Sequence, residues 1–198
     1  MTYADTRAAL REKRAQIEAL HQEMRSLQDA VTPQPVEDYA FETQVGDTTL
    51  ARLFGDKNDL FVVHNMGVRC SSCTMWADGF NGVYPHLANR AAFVLVSQDP
   101  LDVQRRFAAD RGWRFPMARA RHDRFHADMG YWSDKDKVWP GVSVFHKDGE
   151  RILRVSDAEF GPGDDFCTVY HLLDLIPRSE AMNYSPKFRY VEVSAGAA

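Results

Sequence analysis

The sequence predicts an α/β domain, a mixed central sheet flanked by helices on both faces, with one long helix ahead of it. Three observations lead there. Two short apolar runs, Leu60 to Val63 and Ala92 to Val96, have the length and β-branched content of strands buried on both faces. Each is followed by a stretch with helical spacing, so strand and helix alternate. Further on, Val142-Ser143-Val144-Phe145 and Arg151-Ile152-Leu153-Arg154 flank Lys147-Asp148-Gly149, a hairpin with an Asp-Gly turn.

The elements follow in order. Residues 5–30 read as one helix: Leu10, Ile17, Leu20, Met24, Leu27 and Val31 recur at separations of seven, three, four, three and four, a heptad seam. Residues 5–30 carry five basic and five acidic side chains, which solvate the outer face. Such a helix either lies against its own domain or pairs with its twin in a homodimer. Thr32-Pro33-Gln34-Pro35 ends it, because proline lacks a backbone donor and restricts the residue before it. The chain divides accordingly into a helix (1–32), an α/β domain (36–180) and a tail (181–198).

Within the domain, Tyr39 to Gln44 and the segment around Thr48 form a hairpin turning at Gly46-Asp47. Leu50 to Phe54 is a short helix closed by Gly55. A helix from Ser72 to Phe80 follows the first buried strand. Leu101 to Arg111 is a helix with Pro100 at its start and Gly112 at its end, the usual asymmetry. Arg121 to Met129 and Phe166 to Leu175 are further helices, and Tyr190 to Val193 has the pattern of a short strand.

Composition narrows the function. The 198 residues are 44% hydrophobic and 12% aromatic, an ordinary globular balance. With 24 basic and 28 acidic side chains the net charge is −4, which gives no electrostatic basis for nucleic-acid or membrane partners. No apolar run approaches the roughly 20 residues that span a bilayer. The polar start from Met1 to Leu10 lacks the pattern of a secretory signal, so the expected location is cytoplasmic.

Three cysteines, Cys70, Cys73 and Cys167, do not make a disulfide framework. Cys70-Ser71-Ser72-Cys73 follows a buried strand and opens a helix. A thiol there faces unpaired backbone N–H groups and the positive end of the helix dipole, and Arg69 adds a full charge. Two intervening residues bring both sulfurs within one helical turn. Cys70 at the tip is the expected nucleophile toward a disulfide, and Cys73 the resolving thiol.

The stretch from Phe61 through His64, Cys70 and Cys73 to Trp76 resembles the active-site strand, motif and helix of thioredoxins. Trp139-Pro140-Gly141-Val142-Ser143 resembles the segment in which thioredoxins place a cis-proline against the cysteines. That resemblance implies a thioredoxin-like fold, with Pro140 cis and shaping the substrate groove. The insertions containing Ser97-Gln98-Asp99-Pro100 and Gly112-Trp113-Arg114-Phe115-Pro116 are similar to those of larger thioredoxin-like and peroxiredoxin-like proteins.

A narrower resemblance rests on His64-Asn65-Met66-Gly67, Trp76-Ala77-Asp78-Gly79-Phe80-Asn81-Gly82, Gly112 to Pro116 and Leu172-Leu173-Asp174-Leu175-Ile176-Pro177. Together these resemble a bacterial thioredoxin-like family known only as domain of unknown function 899, over nearly the whole chain. It implies a fold and no substrate.

Thioredoxins carry a buried acid six residues before the first cysteine, and here that position is His64. An imidazole there either acts as general base for the resolving thiol or packs locally. Peroxiredoxins share a proline seven residues, and a Thr or Ser three residues, before the peroxidatic cysteine. Counting back from Cys70 gives Val63 and Gly67, and from Cys73 gives Met66 and Cys70, so peroxidase chemistry is disfavoured.

The alternative is a thioredoxin-fold binding or metal-handling module without redox turnover. A closed zinc site wants a second cysteine pair, and the chain has none. His122 and His126 stand four apart on a predicted helix and are the other ligand candidates, although such pairs are mostly surface residues. Trp76 reads either as packing or as part of a substrate-facing rim beside Trp139, and Cys167 reads as core. Asp78, Asp99 and Asp174 read as solvated or capping residues. With no metal, no cofactor and no Gly-rich nucleotide loop expected, the partner is a protein or small-molecule thiol or disulfide.

Overall fold

The computed structural model describes residues 2–122, 124–133, 137–177 and 184–186. Helix α1 (Tyr3–Asp29) opens the chain, its start fixed by a capping box: the Thr2 hydroxyl accepts from the Asp5 N–H, and the Asp5 carboxylate accepts from the Thr2 N–H. Then come β1 (Gln34–Val36), β2 (Ala40–Thr43), β3 (Gly46–Thr49), α2 (Leu50–Leu53), β4 (Asp59–His64) and α3 (Ser71–Arg90). They are followed by β5 (Ala92–Val96), α4 (Leu101–Arg111), β6 (Met117–Ala120), α5 (Arg124–Asp128) and the small pair β7 (Trp132–Ser133) and β8 (Lys137–Val138). The long hairpin β9 (Gly141–Asp148) and β10 (Arg151–Glu159) and helix α6 (Thr168–Leu173) complete the described elements.

Eight strands form one sheet in the order β1-β10-β9-β4-β5-β6-β2-β3, with β4, β5 and β6 parallel and β9 antiparallel to β4. Successive residues of a strand face opposite sides, so each apolar run feeds two cores. Val62, Val94 and Val96 meet Leu50, Phe54, Phe125 and Met129 from the α2 and α5 side. Val63, Phe93 and Leu95 meet Trp76 and Ala77 of α3, with Phe115, Phe160 and Tyr170. The strands are apolar throughout because both faces are covered.

Helix α3 runs to Arg90, ten residues past the predicted end, with Pro85 inside it. Proline at that position leaves the Asn81 carbonyl without its helical donor. The Arg114 guanidinium supplies one, Nη2 to O at 3.2 Å. Two sequence motifs meet here. The Asp78 carboxylate accepts from Trp113 Nε1 at 2.8 Å and from the buried Arg111 guanidinium, Nε at 2.9 Å, while Asn81 Nδ2 donates to the Gly112 carbonyl at 3.0 Å. Asp78 is thus the tie between α3 and the end of α4, not a solvated residue.

Other differences are local. The β2–β3 turn falls at Gln44-Val45, before Gly46, because Thr43 pairs with Gly46 across the hairpin. Helix α5 begins at Arg124, so His122 lies outside it and is exposed while His126 is fully buried. The two histidines therefore do not share a helix face. Cys167 is the residue that caps α6, not one inside it, and is buried as expected. Asp174 caps the other end of α6. The expected strand at Tyr190 to Val193 and the boundary before residue 181 lie outside the described residues.

Helix α1 contributes no buried residue. Leu10, Ile17, Leu20, Met24, Leu27 and Val31 are each 49% exposed or more, so the seam does not lie against the described part of its own domain. His21 reaches Asp165 at 3.2 Å, an ion pair when the imidazole is protonated.

Candidate active site

The site forms where β4 ends and α3 begins. The Asn65 N–H continues the β4–β5 ladder to the Val96 carbonyl at 2.9 Å, and its side-chain oxygen accepts from the Gly67 N–H at 2.8 Å. Gly67 turns the chain at φ +95°, a conformation open to glycine. The Val68 N–H then donates to Asp99 Oδ2 at 2.8 Å, and the Cys70 N–H to the Gly67 carbonyl at 3.0 Å. Asp99, read from sequence as solvated or capping, anchors the loop that presents Cys70.

Cys70 is the N-cap residue of α3. Its sulfur accepts from the Cys73 N–H at 3.1 Å, and its carbonyl accepts from both the N–H and the hydroxyl of Thr74 at 3.0 Å. Cys70 and Cys73 are joined as a disulfide with Cα atoms 5.2 Å apart. Cys70 is partly exposed and Cys73 is 2% exposed. Cys70 is thus the more accessible residue of the pair, and Cys73 is shielded one turn inside. The 20-residue helix above them places a positive dipole end on the Cys70 sulfur, which favours thiolate in the reduced pair. Arg69 beside them is exposed.

His64 is wholly buried, and the structure gives it two hydrogen-bond partners. Its Nδ1 lies 2.9 Å from His126 Nδ1, and its Nε2 lies 3.0 Å from Ser143 Oγ. Tyr131 stacks on the ring at 4.1 Å between centroids, and Phe125 stacks at 5.3 Å. Burial, then His126, then Arg154 hold the His64 pKa well below the usual imidazole range, and burial pushes His126 down to about 4. Both rings are neutral near pH 7. Neither hydrogen-bond partner of His64 is a cysteine, so the expected base at Cys73 is not in direct hydrogen-bond contact with it.

His126 Nε2 is buried with no hydrogen-bond partner among the described residues. If His64 donated to His126, that orphan atom would carry an unmet N–H. If His126 donates, it is only a bare lone pair, and unmet buried N–H groups are the rarer and costlier case. His126 is therefore the Nδ1–H donor, and the His64 Nε2–H donates to Ser143.

Trp76 resolves to packing. It is 3% exposed, stacks on Phe160 at 5.5 Å and donates from Nε1 to Asp164 Oδ1 at 3.3 Å. Trp139 is 41% exposed, so of the two expected rim residues only Trp139 is at the surface. Pro140 is buried, and its carbonyl accepts from the Phe160 N–H at 3.0 Å. The Trp139–Pro140 bond is trans, which corrects the expected cis-proline. The Trp139 N–H bonds the Tyr131 carbonyl at 2.8 Å, so the chain is tied on both sides as it enters β9.

His126, Ser143 and Tyr131 had no signature in sequence as partners of His64, because they come from a different helix, strand and loop. Among the described residues there is no cluster of three or more His, Cys, Asp or Glu side chains able to hold a metal. No described helix is long and apolar enough to cross a membrane.

Solved structures similar to this chain include peroxiredoxins. Peroxidoxin BcpB of Mycobacterium tuberculosis is 23% identical, with a TM-score of 0.53 over 65% of this chain and 84% of that one. A peroxiredoxin-like protein from Aquifex aeolicus is 14% identical, with a TM-score of 0.53 over 64% and 74%. AhpC of Enterococcus faecalis is 12% identical, with a TM-score of 0.52 over 68% and 80%. These likenesses establish the thioredoxin-like fold in its peroxiredoxin-like form. No protein of curated function matches the sequence. The model of a bacterial protein family of unknown function, DUF899, matches residues 3–192, and the chain belongs to that family.

Proposed function

We propose that the protein is a cytoplasmic thiol–disulfide oxidoreductase. The observation that carries this reading is the Cys70–Cys73 pair at the start of α3, one residue partly exposed and the other buried. In the reducing direction, the Cys70 thiolate attacks one sulfur of a substrate disulfide, forming a mixed disulfide and releasing the first thiolate. The Cys73 thiolate then attacks the Cys70 sulfur, releasing the second thiolate and closing the Cys70–Cys73 bond. Two electrons pass from the protein to the substrate, and a dithiol or two further thiol molecules, oxidised to a disulfide in turn, restore the reduced pair.

Arg69 adds positive charge beside the motif, and Trp139 with Pro140 borders the face that receives the substrate. We assign His64 a positioning role: it fixes the end of β4 through His126 and Ser143, and so the height of the loop that carries Cys70. His64→Ala is expected to slow resolution of a preformed Cys70 mixed disulfide in a single turnover, while His64→Asn restores part of the rate. The exposed seam of α1 is proposed to pair two copies of the chain.

The test is the pH dependence of Cys70 alkylation in reduced protein, read by peptide mass spectrometry. Cys167, whose pKa is raised by burial, is the internal reference. The proposal expects Cys70 to react well below the ordinary thiol pKa of about 8.5. Cysteines that react alike would favour a scaffold role instead. The peroxiredoxin-like fold makes hydrogen peroxide the second substrate to assay, although the residues before both cysteines depart from the peroxidatic pattern.

A further inference from the structure

At the far side of α4 from the cysteines the sheet is incomplete. Strands β5 and β6 pair only at Leu95 with Met117 and at Val96 with Ala118, so the first half of β5 has no neighbour on that side. Helix α4, helix α2 and the β2–β3 turn roof the space without filling it. What remains is a cavity of about 710 Å³, open to solvent. That size falls in the range of small-molecule sites. No residue of the Cys70 loop or of α3 lines it.

Its wall is apolar, with Leu53, Phe93, Phe115 and Met117 among the lining residues. Two charged side chains of one sign, Arg52 and Arg105, also line it and are exposed. Among the described residues neither makes an ion pair. The acidic residue of the lining, Asp47, is already paired with Arg121. An apolar hollow carrying two uncompensated guanidinium groups is complementary to a ligand with an apolar body and one anionic head. Arginine suits a carboxylate in particular, because its planar fork meets both oxygens.

We infer that this cavity binds a free apolar carboxylic acid, its chain or ring between Phe93, Phe115 and Met117 and its carboxylate at Arg52 and Arg105. The site is separate from the cysteine pair and does not depend on the redox reading.

The probe is decanoate, titrated calorimetrically into the full-length protein, with decan-1-ol as the uncharged match. One decanoate is expected per chain, with the alcohol at least tenfold weaker. Arg52→Gln with Arg105→Gln should weaken decanoate at least tenfold and leave the alcohol unchanged. Ala108→Trp, which fills the cavity from α4, should abolish binding of both in protein with an unaltered unfolding midpoint. Should that variant fail to fold, the double arginine variant at exposed positions decides alone. Equal affinity for acid and alcohol, decanoate affinity unmoved by the arginine substitutions, or no binding of decanoate would each overturn the inference.

Discussion

The Nδ1 atoms of His64 and His126 lie 2.9 Å apart, and neither ring has exposed surface. One proton serves both atoms, so both rings are held neutral, and a second proton would place two buried positive charges in contact. That relationship makes stability depend on pH. The native pKa values are depressed below the ordinary imidazole value, so the unfolded chain takes up protons that the native pair refuses. The contribution is complete above about pH 6.5 and is lost as pH falls from there toward 4. For His126 alone the loss by pH 5 is roughly 2 kcal/mol, at about 1.4 kcal/mol per pH unit. Urea unfolding at pH 7.5, 6 and 5 should show this decline in the wild type and a flatter one in His126→Gln. Parallel slopes would show that other groups carry it.

Gly141 is the β9 partner of His64 in the sheet. A methyl group at Gly141 would collide with the Tyr131 ring and lie 2.7 Å from the Ala158 carbonyl. Tyr131 has little freedom to retreat, since it stacks on His64 and its hydroxyl donates to the Val142 carbonyl at 3.1 Å. Gly141→Ala is therefore expected to cost about 2 kcal/mol or more, in the range of overpacked cores. Near-UV circular dichroism should change with it, because the Tyr131 stack is displaced. A variant with wild-type stability and spectrum would mean that β9 shifts to make room.

What was legible in the sequence was what local pattern encodes. The runs ending at Val63 and Val96, the Pro100 and Gly112 brackets of α4 and the β9–β10 hairpin all carry their signal within a few residues. The cysteine motif is local too, since spacing and helix start fix the sulfurs together. The length of α3 was hidden because its second half contains Pro85, and Arg114, brought close by the fold, supplies the missing donor. The His64 environment was hidden for the same reason, its partner being 62 residues away on a short helix. A resemblance to thioredoxins suggested a cis bond at Pro140, whereas in this chain that bond is trans.

The turn before Cys70 depends on two side chains that fit each other. A Cβ on Gly67 would strike the Asp99 carboxylate, and φ +95° disfavours any larger residue there. Asp99→Ala removes the acceptor of the Val68 N–H and is expected to cost about 1 to 2 kcal/mol. Gly67→Ala should cost more, from the clash and the strained φ together. In the double variant the clash is gone while the φ strain and the lost acceptor remain, so the two effects should be less than additive. Rates of Cys70 alkylation should fall in the same order, since both changes move the loop that presents the sulfur. Strict additivity, with unchanged alkylation, would separate this loop from the site.

Helix α1 carries an uncovered apolar seam. None of its residues is buried, yet Leu20, Met24, Leu27 and Val31 keep the three-and-four spacing of a helix pair. Each leucine covered by a second copy would contribute roughly 2 kcal/mol. A pair of glutamates on the same seam would instead face two like charges across a symmetric contact. Leu20→Glu with Leu27→Glu is therefore expected to halve the mass seen by light scattering. The thermal midpoint of the α/β domain should stay put at low protein concentration, because α1 supplies nothing to its core. A wild-type chain that scatters as a monomer at high concentration would remove the homodimer from the reading, and the exposed seam would then belong to another partner.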